Sequence, residues 1–278
     1  MNYRRFGVML DCSQSGILTV EAIKKYVDLL SKMGYNCVQL YMEDTYEMES
    51  EPWFGYLRGR YTKAELKELD AYALARGVEL MPCMQTLGHL ARVKKNYAMN
   101  YLFENNAVLF SGEEKTYQFI DKCFETLSEC FTSRTINIGM DEAFGLGLGK
   151  YLGKHGYRNQ FDIFTEHLQR VCELAKKHGL TPVMWSDMFF RSWNNGKYYI
   201  PKCEMPKEVV EAFPPEVIPV FWDYWTTKKE GYSDMFRGGT DDYYMFYKYE
   251  DPETYYSSMY VVNTDGEVTF GPFEEKEA

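Results

Sequence analysis

Short apolar, β-prone runs alternate along the chain with stretches whose apolar residues recur every three or four positions. Runs of the first kind, bounded by turn residues, predict buried strands, and the second kind predicts amphipathic helices. Phe6–Leu10 is the first run and ends in Asp11. Thr19 is a candidate N-cap for a helix carrying Ile23, Val27 and Leu30, with Gly34 as its stop. A second strand starts at Cys37 and finishes in Glu43 and Asp44. The capping box Thr62-Lys-Ala-Glu65 opens a helix through Leu66, Leu69 and Ala73 that Gly77 closes. Val78–Gln85 is the third strand, followed by Thr86-Leu-Gly-His89. Ser111-Gly-Glu-Glu114 predicts a second capping box, for a helix with Tyr117, Ile120, Phe124 and Leu127 on one face. Ile136–Met140 is the fourth strand and ends in Asp141 and Glu142. A helix from about Phe161 to His178 leads into Thr181–Trp185, the fifth strand, and Val217–Trp222 is the sixth.

Strands alternating with helices in this way imply parallel pairing through right-handed crossovers. Polar residues stand at the C-terminal end of one strand after another: Asp11, Glu43 with Asp44, Gln85, Asp141 with Glu142, Asp187, and Asp223. In a (β/α)8 barrel those ends converge on the rim that carries the active site. An open doubly wound sheet would gather its site at one switch point, with a glycine-rich turn after the first strand, and no such turn follows Leu10. The predicted fold class is therefore α/β, a (β/α)8 TIM-like barrel. It reads as a single catalytic barrel domain over residues 1–278, with regular βα units in 1–236. Residues 237–278 diverge: Tyr243–Tyr249 and Ser257–Val262 resemble strands, and Asp265-Gly266 is a hairpin turn before Glu267–Phe270. The last two units are expected to be abbreviated or irregular.

The stretch Ile136–Ala143 stands out chemically, because an apolar run ends abruptly in two adjacent carboxylates. An unpaired ion in a low-dielectric interior costs several kcal/mol, so two acids at a strand tip suit either a solvated terminus or a polar cleft. The formal charge of −10 argues against nucleic acid or an anionic membrane as partner. No run of about 18 apolar residues is present, and the start is too short in apolar residues for a signal peptide; the expected compartment is the cytoplasm. The seven cysteines include no Cys-x-x-Cys and are read as reduced core residues. His155, His167 and His178 are read as surface or capping residues, which leaves His89 alone at a strand end and no set of metal ligands. Gly145-x-Gly-x-Gly149-Lys150 lacks the P-loop spacing, and Tyr151 stands where Ser or Thr is required. There is no Gly-x-Ser-x-Gly elbow. Carboxylates with aromatics on a barrel rim remain, and the aromatic fraction of 17% offers flat faces with polar handles. That combination suits glycoside hydrolysis, in which one acid protonates the leaving oxygen while a second group stabilises an oxocarbenium-like centre.

Gly7-Val-Met-Leu-Asp-Cys-Ser13, Leu40-Tyr-Met-Glu-Asp-Thr-Tyr46, Phe54-Gly-Tyr-Leu-Arg-Gly-Arg-Tyr61, Gln85-Thr-Leu-Gly-His89, Gly139-Met-Asp-Glu-Ala143 and Trp185-Ser-Asp187 together resemble glycoside hydrolase family 20. More narrowly, they resemble its compact bacterial β-N-acetylhexosaminidases, over roughly residues 5 to 225. The resemblance implies an exo-acting enzyme that releases terminal β-linked GlcNAc or GalNAc. It implies Glu142 as general acid/base and Asp141 as the group orienting the 2-acetamido substituent, whose carbonyl oxygen attacks the anomeric carbon to give an oxazolinium intermediate and net retention. Trp185 and Trp222 would wall the sugar, with Gln14, Asp44, His89, Asp187 and Tyr224 as further substrate-binding residues. No cofactor or metal is implied, and the partner is a small-molecule or oligosaccharide substrate with a terminal N-acetylhexosamine; formation of a homo-oligomer is left open. The chain also departs from the family pattern. Gln14 stands where an Arg usually grips sugar hydroxyls, Phe144 where a His is expected, and no Trp follows Trp225. These departures keep a non-catalytic glycan-binding or regulatory barrel of the same family as the alternative.

Overall fold

The computed structural model describes residues 5–14, 16–198 and 206–220, together with the backbone of 260–262 and 268–270. In chain order the elements are β1 (Gly7–Asp11), α1 (Val20–Lys32), β2 (Cys37–Tyr41), α2 (Lys63–Leu74), β3 (Glu79–Cys83), α3 (Ala91–Lys94), a 3₁₀ turn (Tyr97–Leu102), α4 (Glu114–Cys130) and β4 (Thr135–Asn137). They continue with α5 (Lys150–His155), α6 (Gln160–Lys177), β5 (Thr181–Trp185), α7 (Asp187–Trp193), α8 (Lys207–Glu211) and β6 (Ile218–Val220). The six strands form one parallel sheet in the order β1-β2-β3-β4-β5-β6, the half-barrel of an abbreviated TIM fold. A separate antiparallel pair joins β7 (Tyr260–Val262) to β8 (Val268–Phe270), the pairing expected of a hairpin. The Asp265-Gly266 turn and the Tyr243–Tyr249 run lie outside the described residues.

Burial on both faces explains why these strands read as continuous apolar runs. Val38, Leu40, Leu80, Met81, Ile136 and Val183 are all removed from solvent, and the helices cover them with Ile23, Leu66, Ile120, Phe124, Phe164 and Leu168. Thr19 caps α1 as expected, its Oγ1 accepting the Ala22 N–H at 3.2 Å. Thr62 and Glu65 close the capping box of α2, with the Thr62 N–H donating to Glu65 Oε2 at 2.8 Å. Ser111 does not cap α4. That helix starts at Glu114, with no side-chain cap at Glu113. Side chains from inside the helix satisfy the preceding loop instead: Thr116 Oγ1 donates to Phe110 O at 2.9 Å, and Tyr117 OH accepts the Gly112 N–H at 3.2 Å.

His167 also corrects its sequence reading. It falls on the buried stripe of α6 with Ile163, Phe164, Leu168 and Val171, and is wholly enclosed. Its Nε2 lies 2.9 Å from Thr86 O and its Nδ1 3.2 Å from Tyr117 OH. Burial lowers its pKa to about 4, so the ring is a neutral brace between α6 and the end of β3.

Candidate active site

Parallel register sets the site. Cys83 of β3 is level with Asn137 of β4, and Asn137 is level with Val183 of β5. The ladder continues past the strand ends, where the Thr86 N–H donates to Ile138 O at 3.1 Å and the Trp185 N–H to Gly139 O at 3.0 Å. Gln85, Gly139 and Trp185 therefore lie side by side on the C-terminal rim.

Beyond Asn137 the backbone leaves the strand through left-handed conformations: φ is +69° at Gly139, +74° at Met140 and +45° at Glu142. For residues other than glycine this costs roughly 1–2 kcal/mol each, and it persists only where the surroundings impose it. Gln85 is one such constraint. It is buried, its Oε1 accepts the Met140 N–H at 3.2 Å, and its Nε2 donates to Asp141 Oδ1 at 2.8 Å and to Tyr41 OH at 3.0 Å. A Cβ at Gly139 would overlap the Gln85 carboxamide, so only glycine lets that side chain reach the turn. Asp187 is the other constraint. It is wholly buried and its Oδ2 accepts the Glu142 N–H at 3.2 Å.

His89 joins the two acids. Its Nε2 stands 3.0 Å from Asp141 Oδ2 and 3.2 Å from Glu142 Oε2. The ring N–H is aligned with neither oxygen, so these are ion-pair contacts rather than linear hydrogen bonds. The Asp141 carboxylate, first of all, raises the imidazole pKa to about 9 against the opposing effect of burial, and the charges of Glu142 and Glu43 add to it. Glu43 is itself buried, and desolvation with the neighbouring Asp44 charge raises it to about 7. Asp141 thus has one oxygen held by Gln85 and the other by His89, with its side chain 17% exposed. Glu142 is 37% exposed and meets His89 alone through its carboxylate among the described residues. One acid is held at both oxygens, and its neighbour is the more exposed of the two.

The raised His89 pKa gives a testable sign. Its folded value lies above the ordinary 6.5, so the stabilisation it contributes is complete below about 6.5 and is lost as pH rises through about 9. Titration of the His89 ring by NMR should show a midpoint near 9. A midpoint at or below 6.5 would mean that the ion pair with Asp141 does not form.

The remaining sequence candidates separate by location. Gln14 is exposed beyond β1, and its Oε1 accepts from Arg92 Nη2 at 2.6 Å. Asp44 is buried beyond β2 with its Oδ1 3.0 Å from Arg58 Nε, and Arg58 also donates to Ser13 O. Trp185 is half-buried at the tip of β5 beside Gly139. Asp187 reaches the backbone of the acid loop, with Arg191 Nε 3.5 Å away. Trp222 and Tyr224 lie outside the described residues. Gln85, Tyr41, Glu43, Arg58 and Arg92 join the site without having been singled out for it. Gln85 and Glu43 carried a signal as polar strand ends, whereas Arg92 carried none, since its partner Gln14 is 78 positions away. The glycine-rich loop serves a different purpose: the Gly147 and Gly149 N–H groups donate to the buried Glu104 carboxylate at 2.8 and 3.4 Å. An acid occupies the place a phosphate would need.

The catalytic domain of glycosyl hydrolase family 20 matches residues 2–230. Hexosaminidase D of Homo sapiens is 24% identical over 216 residues, covering 74% of this chain and 42% of its own length. Hexosaminidase D of Bos taurus is 26% identical over 208 residues, covering 70% of this chain and 56% of its own. The chain thus spans about half the length of these curated relatives. Among solved structures, the family 20 exo-β-N-acetylglucosaminidase of Vibrio harveyi in complex with N-acetylglucosamine aligns with a TM-score of 0.66 at 19% identity, over 85% of this chain and 40% of that one. The β-N-acetylhexosaminidase of Bacteroides fragilis aligns with a TM-score of 0.65 at 18% identity, over 85% and 49%. These structural likenesses show a shared fold, and the domain match over most of the sequence shows that the chain belongs to glycosyl hydrolase family 20.

Proposed function

We propose that this chain is an exo-acting β-N-acetylhexosaminidase that removes terminal β-linked GlcNAc or GalNAc by substrate-assisted catalysis. The observation that carries the reading is the unequal setting of two neighbouring acids, Asp141 held by Gln85 and His89 and Glu142 open to solvent. The acetamido carbonyl oxygen attacks the anomeric carbon, the glycosidic C–O bond breaks, and Glu142 gives its proton to the leaving oxygen. Water then attacks the oxazolinium at the same carbon while Glu142 takes back a proton, which restores the amide and retains the β configuration. Asp141 accepts the amide N–H, and its negative charge stabilises the positive charge that develops on the oxazolinium. A carboxylate has about four lone-pair sites, so its contacts with Gln85 and His89 leave room for this one. Because neither acid attacks carbon, both can work from one side of a single sugar, outside the usual two-carboxylate spacing. Trp185 and Trp222 wall the ring, Gln14, Asp44 and Tyr224 meet its hydroxyls and amide, and Asp187 supports Glu142.

Family membership and the names of the relatives support the same substrate class. The non-catalytic alternative drew on Gln14, which lacks the charge of an Arg. Arg92, bonded to Gln14, brings a guanidinium to that rim and weakens the objection. Release of 4-nitrophenol from the β-N-acetylglucosaminide and β-N-acetylgalactosaminide tests the reading, with turnover of at least one expected. Calorimetric binding of N-acetylglucosamine without any turnover would favour the glycan-binding barrel instead.

A further inference from the structure

A cavity of about 400 Å³ opens between the loop that follows β2 and the segment from α3 into the 3₁₀ turn. Its wall includes Trp53, Tyr56, Arg58, Arg92, Lys95 and Tyr97, with Asp44 at its edge. The whole chain carries a formal charge of −10, yet this wall holds three cations against one carboxylate. That carboxylate is already paired with Arg58 at 3.0 Å. Arg92 is bonded to a neutral amide, Gln14, and among the described residues no carboxylate lies within ion-pair distance of Arg92 or Lys95. Trp53, Tyr56 and Tyr97 are 51%, 53% and 88% exposed, a grouping of large aromatic faces in one concave place.

The wall is held in shape by its own bonds. Asn96 Nδ2 donates to Trp53 O at 2.7 Å and ties the loop to the start of the 3₁₀ turn. The rings of Trp53 and Tyr56 meet edge to face with centroids 5.4 Å apart. Gly55 has φ +66° and lies so close to Asp44 O that a Cβ would overlap it, which presses the loop onto the end of β2. The chain links the cavity to the acids: His89, which meets both, stands three residues before Arg92 of the wall. Glu43 feels the charges of His89, Arg92 and Arg58 together, and Arg92 reaches Gln14 on the rim.

Carboxylates, amides and guanidinium groups can all pair the hydroxyls of a neutral sugar, but a bond in which both partners are charged is markedly stronger. Flat aromatic faces beside an uncompensated guanidinium and ammonium suit a ring that carries an oxyanion. We propose that this cavity is a second subsite of the same centre, which takes a sulfate or carboxylate oxyanion of a glycan whose terminal N-acetylhexosamine sits at Asp141 and Glu142. The proposal rests on the glycosidase reading for the acid pair.

Two substrate pairs separate the sources of the oxyanion. One is 4-nitrophenyl β-N-acetylglucosaminide with and without a 6-sulfate. The other is a β-N-acetylhexosaminyl disaccharide with glucuronate or with glucose as the leaving sugar. The anionic member of at least one pair should have a kcat/KM about tenfold higher than its neutral partner at low salt, the scale of a charge-assisted contact. The preferred pair identifies the source. Lys95→Glu should abolish the preference and leave turnover of the neutral members within about twofold, as expected for a charge at the rim. Salt near 1 M, where the screening length is about 3 Å, should abolish it too. Equal or slower turnover of both anionic members by the unaltered protein would overturn the proposal, as would a preference that survives both Lys95→Glu and high salt. If no substrate of either pair, neutral or anionic, is turned over, the glycosidase reading has failed. Calorimetric titration of both pairs then tests the cavity: tighter binding of an anionic member than of its neutral partner, lost in Lys95→Glu, supports it, and equal binding within both pairs rejects it.

Discussion

Glu142→Gln should lower kcat for a β-N-acetylhexosaminyl disaccharide by about 10²–10⁴-fold, the contribution of a positioned general acid. The loss should be smaller for 4-nitrophenyl glycosides, because nitrophenolate departs with little help from a proton whereas a sugar alkoxide does not. This leaving-group dependence distinguishes lost proton transfer from general damage to the site. The fold should survive, since the Glu142 side chain is 37% exposed and its carboxylate pairs with His89 rather than with the core. The left-handed backbone at this position is held by the Asp187 bond to the Glu142 N–H, and a change confined to the side-chain terminus keeps that bond. Unchanged disaccharide turnover by Glu142→Gln would remove that residue from its role.

Asp141→Asn should cost about 10²-fold or more in kcat, the scale on which small losses of orientation are felt. Asn keeps the shape of the side chain and loses the charge that holds His89 protonated. The two effects can be measured separately. Because the Asp141 contact is the largest cause of the raised His89 pKa, the His89 midpoint should fall from about 9 toward the ordinary 6.5 in this variant. Full activity, or a His89 midpoint that stays near 9, would contradict the assignment of Asp141 as the anchoring acid.

Where local pattern and tertiary packing agree, the chain could be read directly. The apolar runs that became β2, β3 and β5 are buried on both faces, and such runs need no partner to be recognised. The polar residues that follow β3 and β4 placed His89, Asp141 and Glu142 on one rim, and these residues do meet. The readings that moved were those decided by distant contacts. Ser111 fits a capping box by spacing, but Thr116 and Tyr117 already satisfy the loop before α4. His167 is a polar residue at an apolar helix position, intelligible only once Thr86 and Tyr117 are packed against it. Gln85 was visible as a strand end. Its work as the clamp on Met140 and Asp141 depends on the register between β3 and β4, which no single strand encodes. Arg92 lies in a short helix with no motif of its own and matters because Gln14 meets it across the rim.

A carbonyl oxygen that attacks the anomeric carbon must weaken as a nucleophile when electrons are drawn from its amide. The decisive measurement is therefore kcat/KM for a series of aryl β-glucosaminides bearing N-acetyl, N-fluoroacetyl, N-difluoroacetyl and N-trifluoroacetyl groups. Participation of the amide predicts a steep fall with each added fluorine. A flat series, or equal turnover of the glycoside with a hydroxyl in place of the amide, would contradict it.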